Sequence, residues 1–150
     1  MVIITTLGNG GLVWILAAIA MLISKNNRKP GVKIAIALIF SFLICNLCLK
    51  PIVARPRPFI VNGAWLIIAP PTDFSFPSGH TAASFAASVT LIINKRRPFS
   101  VCALILAFLI AFSRLYLYVH YPTDVLAGMI FGTIFAIASC KIVDAAWKKD

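Results

Sequence analysis

Apolar residues fall along this chain in blocks, and the blocks are too long and too uniform to be single faces of soluble helices. Five segments run approximately Val2 to Ile23, Ile34 to Leu49, Ser78 to Ile93, Pro98 to Tyr118 and Pro122 to Val143. A bilayer core asks for roughly 20 apolar residues per helix and tolerates about 17, so each segment is a candidate membrane span. The third is the shortest, and Gly8, Gly10 and Gly11 weaken the start of the first. The long connection from Lys50 to Pro77 carries Pro51, Pro56, Pro58, Pro70, Pro71 and Pro77, which break any continuous helix there. The pattern predicts an all-α bundle of five transmembrane helices. Without a polar linker or an internal repeat, residues 1–150 read as one membrane-embedded domain.

Composition strengthens this picture. Of 150 residues, 61% are hydrophobic and only 12% charged, and the mean hydropathy is +0.96, far from the usual soluble balance. The apolar start lacks the basic n-region and small-residue cleavage site of a secretory signal, since Lys25 is its first cation; it is expected to remain in the mature protein. Cys45, Cys48, Cys102 and Cys140 all lie inside apolar runs, where a thiol acts as a small hydrophobe. The CxxC of Cys45 and Cys48 has no further Cys or His nearby to complete a zinc or redox site.

The net charge of +10 does not point to nucleic acid, because the cations stand in short clusters between apolar runs and form no polar stripe. Five crossings put Lys25, Arg28, Lys29, Lys33, Lys95, Arg96, Arg97, Lys141, Lys148 and Lys149 on one side, which the positive-inside rule makes cytoplasmic. Lys50, Arg55, Arg57 and Arg114 fall on the other side, where that rule gives no reason for them. Both histidines of the chain, His80 and His120, join them there with Asp73 and Asp124. One Arg at a helix end often snorkels and one His is often a satisfied polar residue. So many chemically active groups at one face ask for a different account.

Three spacings supply it. Lys50 stands seven positions before Arg57 and Pro58 in the pattern KxxxxxxRP; Pro77, Ser78, Gly79 and His80 form PSGH; Ser113, Arg114, His120 and Asp124 form SRxxxxxHxxxD. With these motifs complete and in order, the chain resembles the type-2 phosphatidate phosphatase superfamily, whose members commonly have six spans. By motif the resemblance covers Lys50 to Asp124, and the outlying helices match by hydropathy alone.

The residues make chemical sense in these terms. Lys50, Arg57 and Arg114 supply fixed positive charge, and the guanidinium forks match phosphate oxygens. Ser78 and Gly79 sit at an expected helix start, where free N–H groups and the dipole favour an anion, and Gly79 lets it approach the main chain. Pro122 suits the first helical position, so Asp124 reaches back toward His120 and orients one ring nitrogen. The resemblance implies that His120 is the nucleophile, through a phosphohistidine intermediate, and that His80 protonates the leaving oxygen and later activates water.

No cofactor is expected. His120 and Asp124 stand at i, i+4, a spacing that two metal ligands can share, but three cations would repel a metal and the chain has no Glu to complete a shell. Asp73 reads as a loop or capping residue. Arg55 reads equally as a ligand for a second phosphate or headgroup and as an exposed cation. Trp14, Trp65, Tyr116, Tyr118, Tyr121 and Trp147 are expected in interfacial belts, and Trp65 to Ile68 as a short segment on the membrane surface. The expected partner is a lipid phosphate at the outer face of the cell membrane, with undecaprenyl diphosphate favoured over phosphatidylglycerophosphate and phosphatidate. A non-catalytic phospholipid or phosphate carrier would explain the cations but not the histidines and Asp124. The motifs leave the oligomeric state open.

Overall fold

The computed structural model describes residues 1–147, all of whose regular elements are helical. Lys148 and Lys149, counted above among the cytoplasmic cations, lie outside the described residues. The first apolar block is two helices, α1 (Val2–Leu7) and α2 (Leu12–Ile23). Between them Gly10 and Gly11 take φ of 58° and 72°, a left-handed conformation that glycine adopts without a Cβ penalty. The expectation of one span from Val2 is corrected accordingly: the glycines break it.

The second block is longer than hydropathy suggests. It begins as α3 (Arg28–Phe40), widens into a π-helical stretch over Ser41–Leu49 and closes with α4 (Lys50–Val53). The charged residues Arg28 to Lys33 hide its first turns from a hydropathy profile. After the short α5 (Pro58–Asn62) come α6 (Gly79–Ile93), α7 (Phe99–Tyr116) and α8 (Pro122–Trp147). Trp65 to Ile68 form no helix, although Trp65 and Ile67 are fully or largely exposed.

Helix α6 runs through the middle of the bundle, packed on α8, α7 and α3. Its buried face is built from small residues and hydroxyls: Thr81, Ala82, Ser84, Ala86, Ala87, Ser88 and Thr90. Small side chains let membrane helices approach closely, and the hydroxyls find carbonyls one turn back, as Thr90 Oγ1 does on Ala86 O at 2.7 Å. Gly128 and Gly132 of α8 meet this face; a Cβ on Gly128 would lie 2.7 Å from Ser78 O, and one on Gly132 would strike Ala82 O. The outer faces are apolar, with Ile105, Phe108 and Phe112 of α7 and Leu126, Ile130 and Ile134 of α8 at least half exposed. Such an inverted pattern is what lipid solvates. α7, α8 and the α3 to α5 stretch are long and apolar enough to cross a membrane, and Asn9–Ile23 and Gly79–Ile93 are shorter apolar helices. The protein is a multi-pass membrane helical bundle.

Trp14 departs from its expected interfacial place. It is 3% exposed and donates from Nε1 to Ser84 Oγ at 2.9 Å, so it belongs to the core between α2 and α6.

Candidate active site

The bundle brings the ends of α1, α4, α6, α7 and the start of α8 to one face, under the Pro-rich connection. There a cavity of about 460 Å³ is lined by Lys50, Arg57, His80, Arg114, His120 and Asp73, with Ile67 and Ile68 forming an apolar wall. Three cations and both histidines, separated by up to 70 residues of chain, thus face one space.

Lys50 and Arg57 are held by Asp73. Lys50 Nζ pairs with its carboxylate, and Arg57 reaches Asp73 Oδ1 from Nη2 at 2.5 Å and Asp73 O from Nε at 2.8 Å. Burial raises the Asp73 carboxyl, but the hydrogen bonds and charges of Lys50 and Arg57 outweigh it and bring its pKa down to about 2. Asp73 is therefore an anionic bridge between two cations, a part that its reading as a loop or capping residue missed. Arg114 sits in the last turn of α7, where one guanidinium nitrogen bonds Thr5 Oγ1 of α1. Its Nε–H is buried and has no partner among the described residues.

His120 follows α7 and is 3% exposed. Arg57 Nη1 lies 3.2 Å from its Nε2. Because guanidinium only donates, Nε2 accepts, and the ring proton belongs on Nδ1. Nδ1 faces Asp124 Oδ2 at 3.5 Å and Ser75 Oγ at 3.4 Å, while Ser75 donates to Asp124 Oδ2 at 2.5 Å. At these distances the His120–Asp124 contact is loose, and the fully buried Ser75 hydroxyl bridges it. Asp124 accepts the Tyr121 N–H at 2.9 Å, a contact that closes the start of α8 as a capping box does. Its other oxygen takes Arg55 Nη1 at 2.7 Å. Arg55 also donates to Thr123 Oγ1 at 2.7 Å and lies 3.9 Å over the Tyr121 ring. It is thus a clamp on Asp124, a third alternative to the two left open by the sequence.

The PSGH element is split between tasks. Ser78 caps α6, accepting the Thr81 N–H, and is fully buried with Thr81 Oγ1 at 2.9 Å. Neither Ser78 nor Gly79 lines the cavity that holds His120; Gly79 lines an adjoining groove. A Cβ on Gly79 would meet Asn46 Oδ1 at 2.5 Å, so the glycine makes room for that side chain. His80 does face the cavity, and Asn9 Oδ1 accepts from its Nε2 at 2.9 Å.

The adjoining groove, about 770 Å³, shares Lys50, Asp73 and His80 with the cavity and descends along α2 and α3 past Ile15, Ile19 and Leu38. A polar chamber thus continues into a groove walled by apolar side chains of α2 and α3. Sequence reasoning missed Thr5, Asn9 and Ser75, whose residue types are too common to carry a signal without neighbours.

Comparison with known proteins follows the same lines. The family model of the PAP2 superfamily matches residues 30–148. An undecaprenyl-diphosphatase of Sulfolobus acidocaldarius is 34% identical over 131 residues, which are 87% of this chain and 63% of that one. A lipid A 4'-phosphatase of Bacteroides thetaiotaomicron is 37% identical over 113 residues, 67% of this chain and 48% of its own. The chain therefore spans about half to two thirds of the length of these relatives. The crystal structure of a transmembrane PAP2-type phosphatidylglycerolphosphate phosphatase from Bacillus subtilis superposes with a TM-score of 0.71 at 26% identity, covering 97% of this chain and 74% of that one.

Proposed function

The chain belongs to the PAP2 superfamily, and on that premise we propose that it is a membrane phosphatase that hydrolyses a lipid phosphate or diphosphate through a phosphohistidine. The observation that carries this reading is His120, which lines a chamber of three cations with its Nε2 lone pair accepting from one of them, Arg57, while its Nδ1–H faces Ser75 and Asp124 as acceptors. In the first step Nε2 attacks phosphorus, the bond from phosphorus to the leaving oxygen breaks, and His80, entering as the imidazolium, gives that oxygen a proton and becomes neutral. A lipid alcohol leaves, or a lipid monophosphate if the substrate is a diphosphate. In the second step His80 takes a proton from water, the resulting hydroxide attacks phosphorus, and the P–N bond breaks to release phosphate and restore His120.

Lys50, Arg57 and Arg114 would bind the non-bridging oxygens and stabilise the charge they carry in the transition state. An incoming phosphate then takes over from the Asp73 carboxylate as the anion between Lys50 and Arg57. The start of α6 at Ser78 and Gly79 adds its dipole from behind. The groove along α2 and α3 suits the lipid tail, and no step of the scheme requires a metal.

Undecaprenyl diphosphate is the favoured substrate, supported by the named activity of the Sulfolobus relative; lipid A phosphates and phosphatidylglycerophosphate are the alternatives suggested by the other two. The positive-inside rule supports a site facing outward. Phosphate release by purified protein from undecaprenyl diphosphate, phosphatidylglycerophosphate and phosphatidate tests the activity and ranks the tails. Rapid quenching with labelled substrate tests the chemistry: label should be trapped on wild type and not on His120→Ala. Label on His80, or release of no phosphate from any lipid, would overturn the reading.

A further inference from the structure

At the far end of the bundle, the length of α6 away from the chamber and so about 22 Å distant at the rise of an α-helix, lies a second polar cavity of about 560 Å³. Among the described residues, Lys25, Arg28, Lys29, Lys33, Arg96 and one carboxylate, Asp144, line it. The positive-inside rule explains why these cations share a side of the membrane. It does not explain why five of them converge on one concavity.

Their existing contacts leave donors over. Lys33, only 4% exposed, is taken up by Asp144 at 2.9 Å and by Asn94 Oδ1 at 2.8 Å, and Lys29 Nζ also meets Asp144 at 2.8 Å, so the donors left over belong to Lys25, Arg28, Lys29 and Arg96. Arg28 donates from Nε to Leu22 O at 3.3 Å, and Arg96 from Nη2 to Asn26 O at 3.0 Å, which fixes both guanidinium groups by the backbone. The Nε–H of Arg96 is buried with no partner among the described residues. A set of oriented N–H donors with one carboxylate among five cations is complementary to an anion with several acceptor oxygens, which is what a phosphate presents. Trp147 stands at the rim, 46% exposed, a ring suited to headgroup depth.

We propose that this cavity binds the phosphate of an anionic phospholipid headgroup from the leaflet at the Lys25 end of the bundle. A lipid is favoured over free phosphate because the cavity opens among helix ends at the membrane boundary, where basic pockets meet anionic headgroups at high local concentration. The site is independent of the proposed phosphatase chemistry.

Native mass spectrometry of the purified protein, equilibrated with equal phosphatidylglycerol and phosphatidylcholine, tests it. Wild type should retain one phosphatidylglycerol in preference to phosphatidylcholine. Lys25 is exposed, so Lys25→Gln should fold and weaken that retention about fivefold. Lys141→Gln, an exposed cation that lines no part of this cavity, should leave it unchanged. Equal loss in both variants would reduce the effect to general surface charge and overturn the site, as would loss in neither. Inorganic phosphate alone, raising the melting temperature of delipidated protein as much as phosphatidylglycerol does, would overturn the lipid as ligand.

Discussion

His120 is held between groups that pull its proton in opposite senses. Burial lowers its pKa most, the charges of Arg57 and Arg114 lower it further, and Asp124 opposes them; the result is about 4. The ring is therefore neutral at pH 7 and becomes protonated only as pH falls through about 4, when Nε2 loses its lone pair. The His120 imidazole carbon resonances, followed by NMR in detergent with His80 replaced by Gln, should titrate near pH 4; a midpoint near the ordinary 6.5 would remove this account of a ready nucleophile. Ser75 supplies a second test, because it bridges Nδ1 and Asp124. Ser75→Ala should lower turnover about tenfold, and Asp124→Asn by about a hundredfold or more by analogy with other triads, both with phosphohistidine still trapped. Turnover unchanged in Ser75→Ala would reduce the hydroxyl to packing. The convergence of Lys50, Arg57, His80, Arg114, His120 and Asp124 at one face was legible in the sequence because fixed spacings mark them. Ser75 was not, because a loop serine acquires its part only when His120 and Asp124 are brought to it from 45 and 49 residues along the chain.

At the scale of elements, α1 does more than begin a membrane span. It delivers Thr5 to Arg114, and the turn after it delivers Asn9 to His80. The left-handed glycines at 10 and 11 separate this segment from α2, so that its side chains meet Arg114 and His80 independently of the course of α2. Hydropathy cannot reveal such a break, since both pieces are apolar; likewise it cannot distinguish the π-helical stretch before Lys50 from ordinary helix. Thr5→Val removes the hydroxyl that fixes Arg114 and keeps the side-chain shape. It should weaken inhibition by vanadate, a mimic of the trigonal-bipyramidal phosphorus that the cations would bind, about tenfold, roughly the effect of one charge-assisted hydrogen bond, while Thr5→Ser restores it. If both variants bound vanadate like wild type, α1 would be a membrane anchor without a part in the chamber.

For the whole molecule, chemistry and charge are divided between the two ends. Among the described residues no three His, Cys, Asp or Glu side chains stand close enough together to hold a metal ion, and Asp124 is already bound to Arg55 and Ser75. Phosphatase activity should accordingly survive excess EDTA, and an activity lost on chelation and restored by one divalent ion would return His120 and Asp124 to a metal shell. The division also predicts an orientation. Lys25, Arg28, Lys29, Lys33 and Arg96 gather about the cavity at one end, whereas the cations at the other are engaged with Asp73, Asp124 and Thr5. Among the described residues the first group sets five cations against the carboxylate of Asp144, whereas the other end balances Lys50, Arg55 and Arg57 with Asp73 and Asp124, so the first end should be cytoplasmic and the chamber outward. In a Cys-free background, Asn62→Cys and Arg97→Cys place one thiol at each end, both at exposed positions. An impermeant maleimide added to intact cells should label position 62 and leave position 97 unlabelled until the membrane is opened. The reverse pattern would turn the chamber to the cytoplasm, and a lipid phosphate would then have to reach His120 from the inner leaflet.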